Sequence, residues 1–390
     1  MRFLLLDGHG INLKVDNAKL HIRNGDNIET IYPARRIGID HIIVYGRDGN
    51  ITFDAIRWLM KHTVQITYLD WNGSLLTTML PNKVVKVDTK FEQYKLFEDR
   101  TKRIGIARLF LLAKFQKTKL VLDYLKERYP EVDTNFDKLI VQFEKAKTLE
   151  QILLAEGLIA SHYWRQFKKV IPDKYEFEGR EYQQKSRTSG DQVNTMLNFG
   201  YAILEAEVLK SINSVGFDVH IGFLHEKKAG KNSLAYDLQE PFRFLIDLAV
   251  LDLIENNTMT KSDFIRTDNY NLRLRSTGAK KVLESINKWF NKKVTYMGDE
   301  NNWHYIILLK IREFAQFISY PNKKMDFTNP NYTLNRKDAV ELRDKIQNIS
   351  YVDWKKKGLS KGTLHYIKQN AKSEKPFYIK KNTKDIIANW

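Results

Sequence analysis

The spacing at which apolar residues recur changes once along this 390-residue chain, near Lys90. This change restricts the fold more than any single motif. Before that point apolar and polar residues alternate in short stretches such as INLKV, KLHIR, HIIVY and VQITYL, separated by the turn sequences DGHG, NGD, GRDGN and DWNG. Alternation with period two and frequent turns are typical of strands. The exception is TFDAIRWLMKH, which has helical spacing and a capping residue, Thr52. The pattern predicts a β-rich domain with one short helix over residues 1–85.

After Lys90 the apolar residues recur three and four apart in long segments with few glycines or prolines, a pattern typical of amphipathic helices. This pattern predicts an all-α domain over residues 86–322. The stretch PNKKMDFTNPNYTLN that follows is polar and rich in turn residues, so we expect a linker. The fold class predicted is therefore α+β and multidomain, with a third, helix-turn-helix region over residues 335–390.

The last forty residues contain a candidate helix pair in a strongly basic tail. Residues 351–390 hold ten lysines and no arginine against three acids, a net charge of +7. Ser360 is placed to cap the second helix, and we expect Val352, Leu359, Leu364 and Ile367 to pack the two helices together around a turn at Gly358. A short helix pair of this charge indicates a recognition helix in a major groove. Its outward side chains would contact DNA: Lys361, Thr363, His365 and Lys368. The alternative is a helical hairpin docked on the surface with solvated lysines.

Composition points to a polyanionic partner. The chain has 64 Lys and Arg against 47 Asp and Glu, a formal net charge of +17, which favours nucleic acid. An anionic membrane surface is disfavoured, because no segment approaches the roughly 18 apolar residues of a spanning helix. The absence of cysteine excludes disulfides, thiolate nucleophiles and cysteine-ligated zinc. The start MRFLLLDG lacks the apolar region and cleavage site of a signal peptide, so we expect a cytoplasmic protein.

A histidine and three acids form the candidate site. Asp237 and Glu240 are three residues apart in a segment predicted to be helical, so both carboxylates would lie on one helix face, and His225 lies in the loop before it. Oxygen and imidazole ligands without thiolate suit Mg²⁺ or Mn²⁺. Glu156 lies at the border of an apolar helical stripe, where an unpaired carboxylate would be costly. The alternative interpretation, which we favour for any one of these residues taken alone, is that Glu156 pairs with a Lys or Arg of a neighbouring helix and that His225 is a hydrogen-bonded core residue.

Four sequence segments, taken in their order along the chain, resemble those of a known protein family. AEGLIASHYW, QVNTMLNFGYAIL, GFLH and SLAYDLQEPFR, behind a β-rich amino-terminal domain, resemble the CRISPR-associated spacer-acquisition integrases and their transposon-borne relatives, the casposases. The resemblance implies a divalent metal held by Glu156, His225 and Glu240, with Asp237 as an additional acid. It also implies that Arg187, Asn194 and Tyr201 support the site.

The resemblance implies a reaction in which a DNA 3′-hydroxyl attacks a target phosphodiester and joins a donor end to target DNA. Lys227, Lys228 and Lys231, between His225 and Asp237, would contact the DNA backbone, or they belong to a disordered surface loop. The basic helix-turn-helix region favours a casposase, which acts alone. The alternatives are a CRISPR integrase, which works with a second small integrase subunit, and a non-catalytic DNA-binding regulator on the same scaffold. The family also implies at least a homodimer, formed through the β-rich domain.

Overall fold

The computed structural model describes residues 2–25, 29–34, 37–46, 48–81, 86–180, 190–225, 230–266, 272–320, 322–332, 334, 346–356, 360–372 and 387. Within these residues the chain has the predicted mixed architecture, a strand-rich amino-terminal region followed by a helical region and carboxy-terminal helices. None of the described helices combines the length and the apolar character needed to cross a lipid bilayer.

The amino-terminal region is built from two four-stranded sheets and one helix. The strands are β1 Phe3–Leu6, β2 Ile11–Asp16, β3 Lys19–Arg23, β4 Thr30–Pro33, β5 His41–Val44, β6 Gly49–Ile51, β7 Gln65–Leu69 and β8 Leu75–Met79. One sheet has the order β1-β5-β7-β8 and the other β4-β3-β2-β6. Helix α1, Phe53–Lys61, begins where the sequence predicted, because the Thr52 side chain accepts a hydrogen bond from the backbone N–H of Ala55.

The sheet β1-β5-β7-β8 is covered on both faces, which is why β5 is buried along its whole length. Its Ile42 and Ile66 face the core of the amino-terminal region, whereas Ile43 and Leu69 belong to the core of the helical region. The two parallel strand pairs of this sheet, β1 with β5 and β5 with β7, explain the apolar run HIIV, since parallel strands occur where both faces of a sheet are covered. This shared sheet fixes the turn between β7 and β8 beside the helices.

The helical region surrounds one long buried helix. Its helices are α2 Val87–Glu98, α3 Arg100–Lys126, α4 Asp137–Lys145, α5 Leu149–Lys169, α6 Gln192–Val215, α7 Ser233–Gln239, α8 Phe244–Glu255, α9 Ser276–Phe290 and α10 Trp303–Ser319. Helix α6 is buried on nearly all sides, and Gly200 lies so close to Ile246 of α8 that a Cβ would stand 2.4 Å from a methyl carbon. The region is not purely helical as predicted. It also contains two hairpins, β9 Phe264–Arg266 with β10 Leu272–Leu274, and β11 Lys293–Tyr296 with β12 Asp299–Asn302.

The segment predicted to be a linker packs on the helical core instead. Phe327 is 3% exposed and lies against the rings of Phe110 and Phe314. The ammonium of Lys117 donates to the backbone carbonyls of Thr328 and Pro330, at 3.1 and 2.8 Å. The polar composition misled the prediction because two apolar side chains, Met325 and Phe327, anchor an otherwise polar stretch.

The carboxy-terminal helices form a small cluster of their own. Helix α11, Tyr351–Lys356, packs on helix α12, Lys361–Lys372, and Ser360 Oγ accepts from the N–H of Thr363 as predicted. Leu364 and Ile367 are buried, also as predicted. Val352 is 63% exposed, so its predicted packing role is wrong, and fully buried Trp354 fills the space between the helices. Gly358 and Leu359 lie outside the described residues.

Candidate active site

A cleft of about 430 Å³ lies where the β7–β8 turn meets the helical region. Its lining includes Trp71 and Asn72 of the turn and His225, Glu240 and Arg243 of the helical region. The turn is tight: Gly73 has a φ of +81°, and a Cβ added there would lie 3.5 Å from Phe199 of α6. Glycine suits this turn because it adopts the left-handed backbone conformation readily, and the turn rests on the central helix.

Two of the predicted ligands converge on one lysine. Glu156 lies on α5 and Glu240 begins a short 3-10 helix, Glu240–Phe242, that follows α7. Lys114 of α3 places its Nζ 2.5 Å from Glu156 Oε1 and 2.8 Å from Glu240 Oε2. Glu156 thus has the lysine partner that the alternative interpretation required, and that same lysine brings it to Glu240.

Glu240 is a carboxylate held ionised in a buried position. Its side chain is 5% exposed, and Arg243 Nη1 lies 3.4 Å from Glu240 Oε1. Burial alone would raise its pKa, but the charges of Lys114, Arg243 and His225 outweigh burial and lower the pKa to about 2. The side chain is therefore ready to act as an anionic ligand at any physiological pH.

His225 and Asp237 form a rigid pair. Asp237 is fully buried, and its two oxygens accept the backbone N–H groups of Phe223, Leu224 and His225 at 2.5, 2.9 and 2.9 Å. Its Oδ1 lies 2.7 Å from Nδ1 of the His225 ring. Because an ionised carboxylate only accepts, Nδ1 carries the proton of the neutral ring, and the lone pair lies on Nε2.

The surroundings of Asp237 explain two further features of this pair. A Cβ on Gly222 would lie 2.8 Å from Asp237 Oδ2, so glycine is required for this approach. Burial lowers the pKa of His225, but the hydrogen bond and charge of Asp237 outweigh burial, and the net shift is upward. Asp237 therefore orients His225, whereas the sequence had placed it beside Glu240 as an acid of the same metal-binding face.

The donor set fits a hard divalent cation. In the described part of the chain no three His, Asp or Glu side chains stand close enough to share one ion as they are placed, since Lys114 lies between Glu156 and Glu240. The buried oxygen Glu240 Oε2 nevertheless makes no well-directed hydrogen bond with any described residue. Two carboxylates and one imidazole, with one such oxygen, are a set of ligands suited to Mg²⁺ or Mn²⁺.

Tyr201 and Asn194 belong to a buried polar network behind the cleft. Tyr201 donates its hydroxyl to Asp247 Oδ1 at 2.5 Å, and Tyr163 donates to Oδ2 at 2.8 Å. The guanidinium of Arg243 lies 4.0 Å above the Tyr201 ring, so Tyr201 supports the residue that neighbours Glu240.

Asn194 has a separate role at the start of α6. It accepts from Arg180 at 3.0 Å and donates to the Asp191 carboxylate, which caps the helix. Asn194 therefore positions a second guanidinium, that of Arg180, in the wall of the cleft.

The predicted DNA-binding residues lie in several places. Arg187, Lys227 and Lys228 are outside the described residues, and Lys231 is exposed at the edge of the loop before α7. On α12, Lys361 and His365 are exposed and Thr363 is half-buried. Lys368 donates to the backbone carbonyl of Gln347 at 2.9 Å, so its ammonium is turned toward the protein rather than outward.

Sequence reasoning missed the residues that connect the candidate ligands: Lys114, Tyr163, Arg180, Arg243 and Asp247. A signal for one of them was present, because Lys114 interrupts the apolar run LFLLAKF of α3 and a cation there needs an anionic partner. The same signal marks Asp247 in the apolar run FLIDLAV of α8, but its partners Tyr163 and Tyr201 lie on other helices far away in sequence and could not be identified from it.

Comparison with known proteins agrees with the resemblance of the four sequence segments. The family model described as CRISPR associated protein Cas1 matches residues 4–288. The CRISPR-associated endonuclease Cas1 1 of Archaeoglobus fulgidus is 30% identical over 336 residues, which cover 81% of this chain and 96% of that protein. The protein of the same description from Francisella tularensis subsp. novicida is 26% identical over 335 residues, 83% of this chain and 98% of that protein.

Two solved structures extend the comparison. A casposase bound to integration product is 52% identical with a TM-score of 0.85, and the match covers 90% of this chain and 100% of that chain. A Cas1 protein from Thermotoga maritima shares the fold at 20% identity, with a TM-score of 0.69 and coverage of 83% and 99%. The family match over residues 4–288 and relatives aligned along nearly their whole length establish that this chain belongs to the Cas1 family of CRISPR associated proteins.

Proposed function

We propose that this chain is a metal-dependent DNA integrase of the casposase type, which joins the 3′-hydroxyl ends of donor DNA to target DNA. The observation that carries the proposal is the convergence of Glu156 and Glu240 on one point beside His225. The 52% identity to a casposase bound to integration product favours this activity over CRISPR spacer acquisition. A regulator without catalysis is disfavoured because each candidate ligand position holds a residue that can bind a metal.

The reaction exchanges one phosphodiester bond for another. The donor 3′-oxygen forms a bond to the target phosphorus, the bond from phosphorus to the target 3′-oxygen breaks, and the proton of the attacking hydroxyl leaves to solvent as the released 3′-oxygen gains one. A divalent ion, when bound, lowers the pKa of the attacking hydroxyl and neutralises charge on the phosphoryl oxygens.

The residues of the chain have distinct roles in this reaction. Glu156, Glu240 and Nε2 of His225 would hold the ion. Asp237 keeps the His225 ring in the tautomer that leaves Nε2 free. Arg243, stacked on Tyr201, keeps Glu240 ionised and in place.

DNA is the partner that this chemistry requires, and the net charge of +17 supplies the long-range attraction for it. We propose that the exposed Lys361 and His365 of α12, with Lys231 near the cleft, contact the DNA. Lys227, Lys228 and the half-buried Thr363 complete this proposed surface, in which Lys368 would first have to leave Gln347. A homodimer or higher assembly on DNA is part of the proposal.

Strand joining by the full chain tests the proposal directly. Labelled donor DNA with free 3′-hydroxyl ends is incubated with supercoiled plasmid in Mg²⁺, in Mn²⁺ and in EDTA, and covalent joining is measured on a denaturing gel. We expect joining with either ion and none in EDTA. Glu240→Gln and His225→Ala should each lower the rate by about a hundredfold or more, because metal-supplied charge stabilisation is worth several kcal/mol.

The control is Glu92→Gln, an exposed glutamate of α2 paired with Lys95. It should join DNA at the wild-type rate, and His225→Ala should bind donor DNA nearly as tightly as the wild type. Joining that survives in EDTA, or in both site variants, would contradict the proposal.

A further inference from the structure

Lys114 has an unusual position for a lysine. It lies on α3 with buried Ala113 and Phe115 on either side in the chain, and its side chain is only 20% exposed. Its ammonium contacts Glu156 at 2.5 Å and Glu240 at 2.8 Å. These carboxylates come from α5 and from the 3-10 helix after α7, so one cation ties three separate elements together.

The charges around Lys114 show why this cation is held in place. Both carboxylates lie within salt-bridge distance of the ammonium, so two negative charges surround one positive charge in a largely buried position. In return, Lys114 is the largest influence lowering the pKa of Glu240. Without a cation between them, two carboxylates drawn to the same point would repel each other.

We propose that the Lys114 ammonium is a built-in cation that competes with the divalent ion for Glu156 and Glu240. The inference rests on the proposed function, because it takes these two side chains to be metal ligands. Lys114 lies against the carboxylate oxygens that the ion needs. Its Nζ approaches Glu240 Oε2 at 2.8 Å, yet this oxygen makes no well-directed hydrogen bond with any residue that the structure describes. The contact between Lys114 and Glu240 Oε2 is thus electrostatic rather than a directed hydrogen bond, so a second cation can replace Lys114 there.

Displacement follows from charge. A divalent ion and an ammonium cannot both stand against the same carboxylate oxygens, because like charges at such distances repel strongly. Entry of the ion therefore moves Lys114 away from Glu156 and Glu240. Lys114 thus has two effects in opposite directions: it holds the carboxylates together before the ion enters, and it lowers the affinity for the ion.

The competing explanation is that Lys114 only orients the two carboxylates. The two explanations predict opposite signs for the same measurement. If Lys114 competes, its removal strengthens metal binding; if it only orients the ligands, its removal weakens binding because the ligands lose their arrangement.

The test is a titration of the full chain with Mn²⁺ alone, without DNA, by calorimetry and by the electron paramagnetic resonance signal of free Mn²⁺. Lys114→Met removes the charge and keeps most of the side-chain volume. We expect it to bind Mn²⁺ about tenfold or more tightly than the wild type, and to melt at a lower temperature in EDTA. Added Mn²⁺ should raise its melting temperature more than that of the wild type, because an ion that binds the folded state more tightly stabilises that state more.

Lys117→Met is the matched control. Lys117 lies one turn further along α3, is 4% exposed, and donates to the carbonyls of Thr328 and Pro330 instead of to a carboxylate. Its replacement removes a buried lysine from the same helix without touching Glu156 or Glu240. We expect its Mn²⁺ affinity to stay within about twofold of the wild type, well below the effect expected at Lys114.

Two further variants keep the outcome decisive. Lys114→Gln, a neutral side chain that can still donate hydrogen bonds to the carboxylates, should also bind Mn²⁺ more tightly, and it serves if Lys114→Met does not fold in EDTA. Equal or weaker Mn²⁺ binding by the folded Lys114 variants would overturn the inference. Glu240→Gln separates the two proposals: if it abolishes Mn²⁺ binding while the Lys114 variants bind no better than the wild type, only the role of Lys114 fails. If the wild type and Glu240→Gln bind Mn²⁺ equally, the metal site itself fails.

Discussion

Asp237 accepts hydrogen bonds from three consecutive backbone N–H groups and lies within hydrogen-bond distance of the His225 ring. A neutral side chain of the same shape cannot do this, because an amide has one acceptor atom and would point N–H groups at N–H groups. The residue thus links the stability of the loop at 223–225 to the orientation of a candidate ligand.

Asp237→Asn is expected to lower the free energy of unfolding by about 3 kcal/mol, since at least two buried donors lose their acceptor and each costs about 1–3 kcal/mol. Urea unfolding followed by circular dichroism measures this difference. Asp123→Asn, at an exposed position paired with Lys119, should change stability by less than about 0.5 kcal/mol. A loss at Asp237 as small as that at Asp123 would show that the loop does not depend on the carboxylate.

The carboxy-terminal helix pair is an element with its own small core, formed by Ile346, Ile349, Trp354, Leu364, Ile367 and Ile387. The segment before it, through Phe327 and Pro330, instead belongs to the helical region that carries the candidate site. The described residues up to Leu334 therefore belong with the helical region, further along the chain than a linker beginning at Pro321 would suggest.

A chain ending at Leu334 is expected to keep strand joining on generic DNA and to lose selection of particular donor ends or target sequences. The reason is that the candidate site and the Phe327 anchor of the helical core remain, whereas the basic pair α11 and α12 is removed. Sequencing of the joined products from mixed donors and targets measures selectivity. As a comparison, a chain ending at Tyr320 should lose stability as well, because it lacks Met325 and Phe327. Unchanged selectivity in the chain ending at Leu334 would argue against a recognition role for α12.

Across the whole molecule, a buried carboxylate flanked by two histidines joins the amino-terminal sheet to the helical region. Glu207 of α6 is 1% exposed, with Oε1 2.6 Å from Nδ1 of His41 on β5 and Oε2 3.2 Å from Nδ1 of His304 on α10. The other ring nitrogen of His41 lies 2.7 Å from Thr67 Oγ1 on β7. Burial alone would raise the pKa of Glu207, but the interactions with His304 and His41 outweigh it and lower the pKa from 4.5 to about 2.

A carboxylate whose pKa is lowered on folding stabilises the protein above its unfolded pKa and ceases to do so as the pH falls through the folded value. Glu207 should therefore stabilise the fold at pH 7, less at pH 3, and not below about pH 2. Glu207→Gln should destabilise the chain strongly at pH 7 and less at pH 3, as measured by urea unfolding at both pH values. Glu92→Gln, at an exposed position, should show no such difference. A destabilisation by Glu207→Gln that is independent of pH would contradict the role of its charge.

The sequence by itself determined the order of the regions, because the hydrophobic period is a local property of the chain. It placed the helix after Thr52 and the cap at Ser360, since a cap depends on residues three apart. It also selected the acids and the histidine of the candidate site. A carboxylate beside an apolar helical stripe and the order of the four sequence segments can both be recognised without coordinates. Whether Glu156, His225 and Glu240 hold a metal stays a prediction.

Only the tertiary structure decided which groups stand between and behind these residues. Lys114 meets Glu156 across 42 positions of the chain, and Tyr163 meets Asp247 across 84, so no local pattern joins them. The packing of Phe327 could not be predicted for the same reason, since a polar segment becomes part of a core only when a matching apolar surface faces it. The separation of Asp237 from Glu240 was decided in the same way. The two acids lie three residues apart, yet the helix ends between them, so one binds the loop at His225 and the other binds Lys114.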